Sequence, residues 1–361
     1  MSNSSSFKYF TIRYYQVVPP MVLVIGCIGN VLNLVLFTRR TLRSNPCAIY
    51  FFLLSITNLI SLTFGILPNY LINVYGIDIL TTTMFFCRFR FFTVHCSLAI
   101  SSWSIVLAGI DRFCISSRQV RRRQFSTLKH TQVATVILII ICCIIYSHVL
   151  ILFTIEQTST GRTCYAQSGS YRVFYDFFFF ATYSFTPPIL MVLLGLGTLR
   201  NILQARSSIK PQETNATARA SIQQNVHVQK KDRQYLKMLL VQLVFTVTLT
   251  LPIAIQKLYT TFTEYQVKSS SRIEIENFLA DFVRTLTQIN SGLSFFLYTL
   301  SSTAFRRELL VVILKFIKIT FGMNNYVYRR LQKTARTTAS HHADTMVHAH
   351  AGTLRLKSIG Q

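Results

Sequence analysis

Charged residues are scarce in this 361-residue chain, at 14% of the total, whereas hydrophobic residues make up 51%. Soluble domains carry roughly 25% charged residues, so the composition argues against a soluble protein. Apolar runs of about 18 to 25 residues recur along the chain, and each is long enough to cross roughly 30 Å of hydrocarbon as a helix. Because these runs are continuous rather than alternating, they predict helical membrane spans and not a barrel.

Acidic residues are especially rare: 12 Asp and Glu stand against 37 Lys and Arg, for a formal net charge of +25. A basic excess of this size can indicate nucleic-acid binding. The basic residues, however, are concentrated in particular loops between the apolar runs, which is typical of topology control, so no nucleic-acid partner is predicted. The spans also lack paired aspartates, a Ser/His pair or a His-rich set. The sequence therefore predicts no enzyme, no cofactor and no metal site.

The apolar runs predict seven spans, of which the seventh is the weakest because Asp281 and Arg284 lie near its start. A last apolar stretch, residues 309–321, is too short to cross and contains Lys315 and Lys318, so it is predicted to lie on the membrane surface. The fold class is therefore all-α: a seven-transmembrane helix bundle with a cytoplasmic amphipathic eighth helix. The spans lie near residues 17–38, 48–73, 85–113, 132–154, 174–199, 237–258 and 278–300.

Basic residues in the loops predict the orientation. The loops at 39–47, 112–132 and 200–237 hold 17 Lys and Arg, and the opposing segments hold 7, which favours an outer N-terminus and a cytoplasmic C-terminus. No signal peptide is predicted, since residues 1–16 have no apolar core. Asn3 begins an extracellular glycosylation sequon. The expected organisation is an extracellular segment 1–16, a transmembrane domain 17–300, an amphipathic surface helix 301–322 and a disordered tail 323–361, whose histidines are interpreted as solvated.

Short motifs follow one another in a fixed order along the spans. Cys87 begins the third span, and Asp111-Arg112-Phe113 ends it 24 residues later, so a helix places Cys87 and Arg112 at opposite membrane faces. This order resembles the rhodopsin-like (class A) family of G-protein-coupled receptors, of which the chain looks like a divergent member, from about Gly26 to Phe321. The other elements are Gly29-Asn30, Cys164, Pro187-Pro188, Pro252, Asn290-Ser291, Tyr298 and Phe305-Arg306-Arg307.

The resemblance implies a disulfide between Cys87 and Cys164, which would tie the second outer loop to the third helix; two free thiols are the alternative. It also implies that Asp111 holds Arg112 at rest, and that Arg112, with Phe113 and Tyr298, couples to a heterotrimeric G protein. The alternative is that Arg112 is only one more positive charge at the cytoplasmic boundary.

Prolines at Pro187 and Pro188 in the fifth span and Pro252 in the sixth remove backbone hydrogen bonds and predict hinges. The resemblance implies an outward swing of the sixth helix, and a static kink is the alternative. Several positions depart from the family pattern, among them Ser294 and Phe295, which stand where the seventh span usually reads Asn-Pro. Asn58 replaces the usual aspartate of the second span, which puts a sodium site in doubt, and Thr250 replaces a tryptophan near Pro252.

Cations in the outer thirds of the spans predict the ligand class. Gln288 replaces the lysine of retinal proteins, and Val94 replaces the aspartate of amine receptors, so neither class is expected. The cations include Arg88 and Arg90, for which outward snorkelling is an alternative, and Arg284, for which pairing with Asp281 is the alternative. Together with His95 and Lys257, these cations favour a peptide or an anionic small molecule. The predicted pocket consists of Val94, His95, Lys257, Arg284 and Gln288.

The predicted function is that of a plasma-membrane receptor that binds an extracellular ligand and activates a heterotrimeric G protein. Threonines and a serine in the tail, from Thr334 to Ser340, suit phosphorylation and arrestin binding, and basic residues of the surface helix suit membrane lipids. A polytopic transporter or channel is the alternative, although no internal repeat and no acidic relay is visible in the spans.

Overall fold

The computed structural model shows a chain that divides into two compact units at Phe295. It describes residues 2–43, 45–158, 161–207, 216–263, 266–322, 324–332 and 334, without the side chains of 2–5, 158, 205–237 and 304.

Long helices make up the first unit. Six of them are named here: α1, Ser2–Phe37; α2, Pro46–Tyr75; α3, Met84–Ser116; α4, Leu128–Tyr146; α6, Ala216–Phe262; and α7, Ser270–Ser301, which continues into the second unit. The fifth, α5, consists of Ser170–Phe179, a π-helical turn at Phe180–Phe185, and Thr186–Ser207. Single helical turns lie at Arg40–Arg43, Val120–Arg123 and Val149–Leu152.

Hydropathy separates α7 from the other long helices. Within the described residues, six helices are long and apolar enough to cross a membrane. They are Ser6–Phe37, Pro46–Tyr75, Met84–Ser116, Leu128–Leu152, Ser170–Gln204 and Met238–Phe262. α7 has 32 residues, which is long enough to cross, but its sequence includes Arg272, Glu274, Glu276, Asp281 and Arg284. The prediction of an all-α membrane protein is confirmed.

Side-chain caps fix where several helices begin. The Asn45 side chain accepts a hydrogen bond from the Cys47 N–H at 3.0 Å, and Pro46 occupies the first helical position of α2. Thr83 and Thr127 cap α3 and α4 in the same way. α2 ends at Gly76, whose φ of 69° is a left-handed conformation that glycine adopts without steric cost.

α1 begins well before the predicted start of the first span. The residues that precede the span are helical from Ser2 onward, and their aromatic rings pack on α7. Phe7 and Tyr14 both contact the Phe278 ring, at centroid distances of 5.6 and 5.3 Å. This packing explains the extension, because short polar helices are marginal on their own and need an apolar contact.

α3 lies at the centre of the first unit and contacts α2, α4, α5 and α6. Its buried Cys96 and Ile100 pack with Tyr146, Phe153 and Tyr175 in one hydrophobic cluster. α1 and α7 also approach closely at two glycines. A Cβ on Gly26 would lie 3.1 Å from the Gly292 Cα, so neither position accepts a side chain without a shift of the backbone.

The fourth predicted span ends early, because Phe153 begins a strand instead of continuing a helix. β1, Phe153–Thr158, pairs antiparallel with β2, Gly161–Ala166, and Ile155 faces Cys164 in the register. A disulfide joins Cys164 to Cys87 at the start of α3, with a Cα–Cα distance of 5.7 Å. The predicted pairing is confirmed, and it fixes the strand pair to the end of α3 that is called the disulfide end below.

The second unit contains a helix that begins at Thr303. This helix, α8, spans Thr303–Phe321; Ser302 caps it and Gly322 ends it with a φ of 64°. That α8 lies on a membrane surface stays a prediction. The following residues differ from the predicted disordered tail, because 325–332 are helical and Asn324 accepts a hydrogen bond from the Tyr326 N–H at 2.9 Å. Most of the tail, including its histidines, lies outside the described residues.

Candidate functional site

A cavity of about 520 Å³ lies at the disulfide end of the first unit. α2, α3, α6 and α7 line most of it, and β2 contributes Arg162, Thr163, Cys164 and Tyr165. All five residues of the predicted pocket line this one cavity: Val94, His95, Lys257, Arg284 and Gln288. They come from three helices, α3, α6 and α7.

Basic side chains outnumber acidic ones among the described lining residues. Arg90, Arg162, Lys257 and Arg284 are basic, and Asp281 is the one carboxylate. The Arg284 Nη1 donates to Asp281 at 2.7 Å, so the predicted helix pair is present. Tyr15 of α1 donates to the other Asp281 oxygen at 2.5 Å. The Arg284 side chain is nevertheless 51% exposed, which leaves it open to a ligand.

Arg90 points into the protein, so outward snorkelling is wrong for this residue. Its Nε donates to the Phe64 carbonyl at 3.0 Å, and one terminal nitrogen donates to the Gly65 carbonyl and to Asn69. Pro68 has no N–H and cannot bond the carbonyl of Phe64 four residues earlier. Arg90 therefore satisfies a backbone carbonyl that the proline leaves unpaired within α2.

Lys257 is buried beside a carboxylate that sequence reasoning missed. Its Nζ lies 3.3 Å from Asp176 of α5, whose side chain is 1% exposed. Tyr165 of β2 accepts a hydrogen bond from the Lys257 ammonium and donates one to Asp176 at 2.5 Å. Thr261 donates to the other carboxylate oxygen at 2.6 Å. The available signal was the charge itself: an aspartate inside an apolar, aromatic run needs a buried partner.

His95 of α3 and Gln288 of α7 both line the cavity. The His95 ring stacks on Phe91 with centroids 5.6 Å apart, and its Nδ1 lies 2.7 Å from the Phe91 carbonyl. The Gln288 carbonyl oxygen accepts a hydrogen bond from Ser61 at 3.1 Å. Gly65 has no side chain at the point where Gln288 approaches, and a Cβ there would collide with the Gln288 amide. The contacts of Gln288 join α7 to α2 at the cavity, whereas those of His95 lie within α3.

A neutral polar network lies deeper in the unit, around Asn58. Ser101 donates to the Asn58 carbonyl oxygen at 2.8 Å, and the Asn58 amide lies 3.4 Å from Asn30. Asn30 in turn donates to the Ser291 carbonyl at 3.0 Å and accepts from Ser294 at 3.2 Å. Side-chain amides, hydroxyls and backbone carbonyls make these contacts, so the described members of the network carry no formal charge.

Arg112 lies at the other end of α3 and is buried, with 2% of its surface exposed. One terminal nitrogen donates to Asp111 at 2.6 Å and to the side-chain oxygen of Asn45 at 2.9 Å. Ser126 donates to the second oxygen of Asp111. The carboxylate at Asp111 thus holds the guanidinium as the resemblance implied. Asn45, which also caps α2, is a partner that sequence reasoning did not identify.

The predicted hinges and coupling residues differ in their surroundings. Pro187 and Pro188 begin the last segment of α5, directly after the π-helical turn. Phe113 packs against Gly197, where an added Cβ would lie 2.9 Å from its ring. Pro252 lies inside α6, and the nearby Thr250 side chain is fully buried. Tyr298 belongs to the second unit, where its ring centroid lies 6.0 Å from that of Phe305. The side chain of Asn3, the predicted glycosylation site, is outside the described residues.

Comparison with known proteins identifies the class. The family model of the 7 transmembrane receptor (rhodopsin family) matches residues 29–298, which is most of the chain, and the protein belongs to this family. It is therefore a multi-pass membrane receptor of the kind that signals through G proteins. No curated protein matches the chain.

Proposed function

We propose that the protein is a plasma-membrane receptor whose extracellular ligand carries an anionic group, either a small carboxylate or the carboxylate of a peptide. The observation that carries this proposal is the excess of positive charge in the cavity lining, where there are four basic residues and one carboxylate. A cavity of about 520 Å³ falls within the range of sites for small organic ligands, and it also suits the end of a peptide.

Arg284 is the first contact that we expect for the anion. Its side chain is half exposed, and its planar guanidinium can bind a carboxylate through two parallel hydrogen bonds. Asp281 competes for it, but Asp281 also accepts from Tyr15 and would remain hydrogen-bonded if Arg284 turned toward a ligand. Val94, His95 and Gln288 would contact the uncharged part of the ligand.

We assign G-protein coupling to the opposite end of α3. There Asp111, Arg112 and Phe113 would contact the G protein, and Pro252 would let α6 move. Tyr298 is assigned to coupling on the family resemblance. In this proposal the disulfide end and Asn3 are extracellular, and the C-terminus is cytoplasmic. α8 would lie on the inner leaflet of the membrane. The tail would be phosphorylated by kinases and would then bind arrestin.

A matched ligand screen tests the anionic preference. Cells that express the receptor with a promiscuous G protein are exposed to aromatic and aliphatic carboxylates, to peptides with a free C-terminus, and to the amide of each. Activators should come from the acids, and each should lose roughly tenfold or more in potency in Arg284→Gln, since a charge-assisted pair is lost. Glu274→Gln, on an exposed part of α7, is the control. Activation by amides as good as by acids would refute the proposal.

The orientation has its own test. An epitope tag after Gln361 should be stained only in permeabilised cells, and a tag before Ser2 should be stained on intact cells. Staining of the C-terminal tag on intact cells would overturn the assignment of both ends.

A further inference from the structure

Lys257 differs from the other cavity cations in having a buried carboxylate as its partner. Asp176 lies on α5, 81 residues away in sequence, and both side chains are almost entirely buried. The Lys257 ammonium also lies over the rings of Tyr165, Tyr175 and Phe179, at 4.7 to 5.1 Å from their centroids. The cation is thus held by one charge and three aromatic faces, while it still lines the cavity.

Asp176 has enough partners to give up the lysine. Tyr165 donates to one of its oxygens at 2.5 Å and Thr261 to the other at 2.6 Å, whereas the lysine contact is the longest of the three at 3.3 Å. If the ammonium left, both carboxylate oxygens would keep a hydroxyl donor, so the buried charge would not be left without hydrogen bonds. The flexible four-carbon stem of lysine allows such a movement.

The π-helical turn of α5 sets where Asp176 points. The turn at Phe180–Phe185 lies between Asp176 and the rest of α5, and the Thr186 N–H bonds the Ala181 carbonyl five residues earlier. One additional residue in a turn rotates the preceding part of a helix by about 100° relative to an uninterrupted α-helix. The direction of Asp176 toward α6 is therefore a product of this local irregularity.

We propose that Asp176 is an internal counter-ion that occupies Lys257 in the ligand-free receptor and that an anionic ligand group displaces it. The inference rests on the proposed anionic ligand. Lys257 and Thr261 are one turn apart on α6, so they lie on the same face, and both contact Asp176. Exchange of the lysine from Asp176 to the ligand would remove one of the two polar contacts that Asp176 makes with α6 beyond Pro252. Ligand binding and helix release would then be the same event.

Purified full-length receptor and a matched pair of probes test the exchange. The probes are 4-phenylbutyrate and its neutral amide, and the readout is the rise in Tm as each is titrated. Asp176→Asn should bind the carboxylate roughly tenfold more tightly than the wild type does, with the amide unchanged, since Lys257 no longer has an internal anion. Adding Lys257→Gln to Asp176→Asn should abolish the gain. An unchanged carboxylate affinity in Asp176→Asn, or a gain that survives Lys257→Gln, overturns the inference.

A second variant should change the affinity in the opposite direction. Thr261→Val removes one hydroxyl donor from Asp176, which makes the carboxylate depend more on Lys257. The carboxylate probe should then bind several-fold more weakly, and an unchanged or higher affinity contradicts the inference. This variant also serves if Asp176→Asn does not fold, and Glu274→Gln is the matched control that should behave as the wild type.

The same titrations separate this inference from the proposed function. A wild-type receptor that prefers the carboxylate through Arg284, with Asp176→Asn no different, keeps the anionic site and refutes the internal counter-ion. A wild-type receptor without any preference, whose Asp176→Asn variant gains one through Lys257, supports the internal counter-ion and refutes the anionic site of the native receptor.

Discussion

The two ends of the first unit each contain a buried ion pair, and the pairs are built differently. Lys257 and Asp176 join two helices, α6 and α5, so neither can leave the other without a change in how those helices are held. Arg112 and Asp111 are neighbours on one helix, and they can separate by side-chain rotation alone. Separation of Lys257 from Asp176 removes a contact between two helices, so this pair depends on how α5 and α6 are positioned. Separation of Arg112 from Asp111 removes a contact within α3 alone and frees the arginine to bind a partner.

The largest effect is expected at the Arg112 pair. Arg112→Ala should preserve surface expression and ligand binding but lower G-protein nucleotide exchange roughly tenfold or more, because the buried guanidinium is the group assigned to the G protein. Arg121→Ala removes an exposed charge from the same side of the receptor and is the control. Equal exchange by both variants would show that Arg112 serves only as a topology charge.

The disulfide is expected to have the next largest effect, and it acts on the other end. It closes a loop with a sequence separation of 77, for which chain entropy predicts about 4.5 kcal/mol of stabilisation. Cys87→Ala should therefore lower surface expression far more than Cys27→Ala, whose thiol is free. Comparable expression of the two variants would mean that β2 stays in place without the covalent bond.

Substitutions at Asn45 test whether a residue of a second region, at the start of α2, helps to hold Arg112. Asn45→Ala removes the cap of α2 and a partner of Arg112, which should cost about 1 kcal/mol in the free energy of unfolding and raise basal nucleotide exchange. Asn45→Asp keeps a good cap and an oxygen for Arg112, so it should behave nearly as the wild type. Basal exchange that rises equally in both variants would exclude this role.

The smallest effect is expected between the two ends, at the neutral Asn58 network. Replacement of sodium by a large organic cation at constant ionic strength should change agonist affinity by less than the roughly fivefold of a typical allosteric coupling. Asn58→Asp should introduce a sodium effect, since it restores a carboxylate. A strong sodium effect in the wild type would show that another group binds the ion.

Features that depend on local sequence were predictable. The spans follow from hydropathy, and the weakness of the seventh follows from its charges. The five pocket residues were chosen from polar and charged residues in the outer thirds of the spans and from positions of the family pattern, and the structure places all five around one cavity. The disulfide followed from the family resemblance and not from local sequence, because the family fold brings together a cysteine at the start of α3 and one in the loop before α5.

Features that depend on packing between distant elements were missed. Asp176 was visible as a charge in an apolar run, but its direction depends on a π-helical turn that no sequence period signals. Arg162 lines the cavity because β2 folds over it. The strand pair was missed because the fourth span was expected to continue past Phe153, where β1 begins. Asn45 lies in the loop at 39–47, and its contact with Arg112 could not be predicted without knowing that Arg112 lies beside the start of α2.

Arg90 has a consequence for alanine scanning of the cavity. Three of its five N–H groups already bond α2, at Phe64, Gly65 and Asn69, which leaves two for a ligand. Truncation of Arg90 would free the carbonyl next to the Pro68 kink and change the wall of the cavity. A loss of potency at this position would therefore look like a lost ligand contact although the shape of α2 had changed, and Arg90→Lys would not restore it.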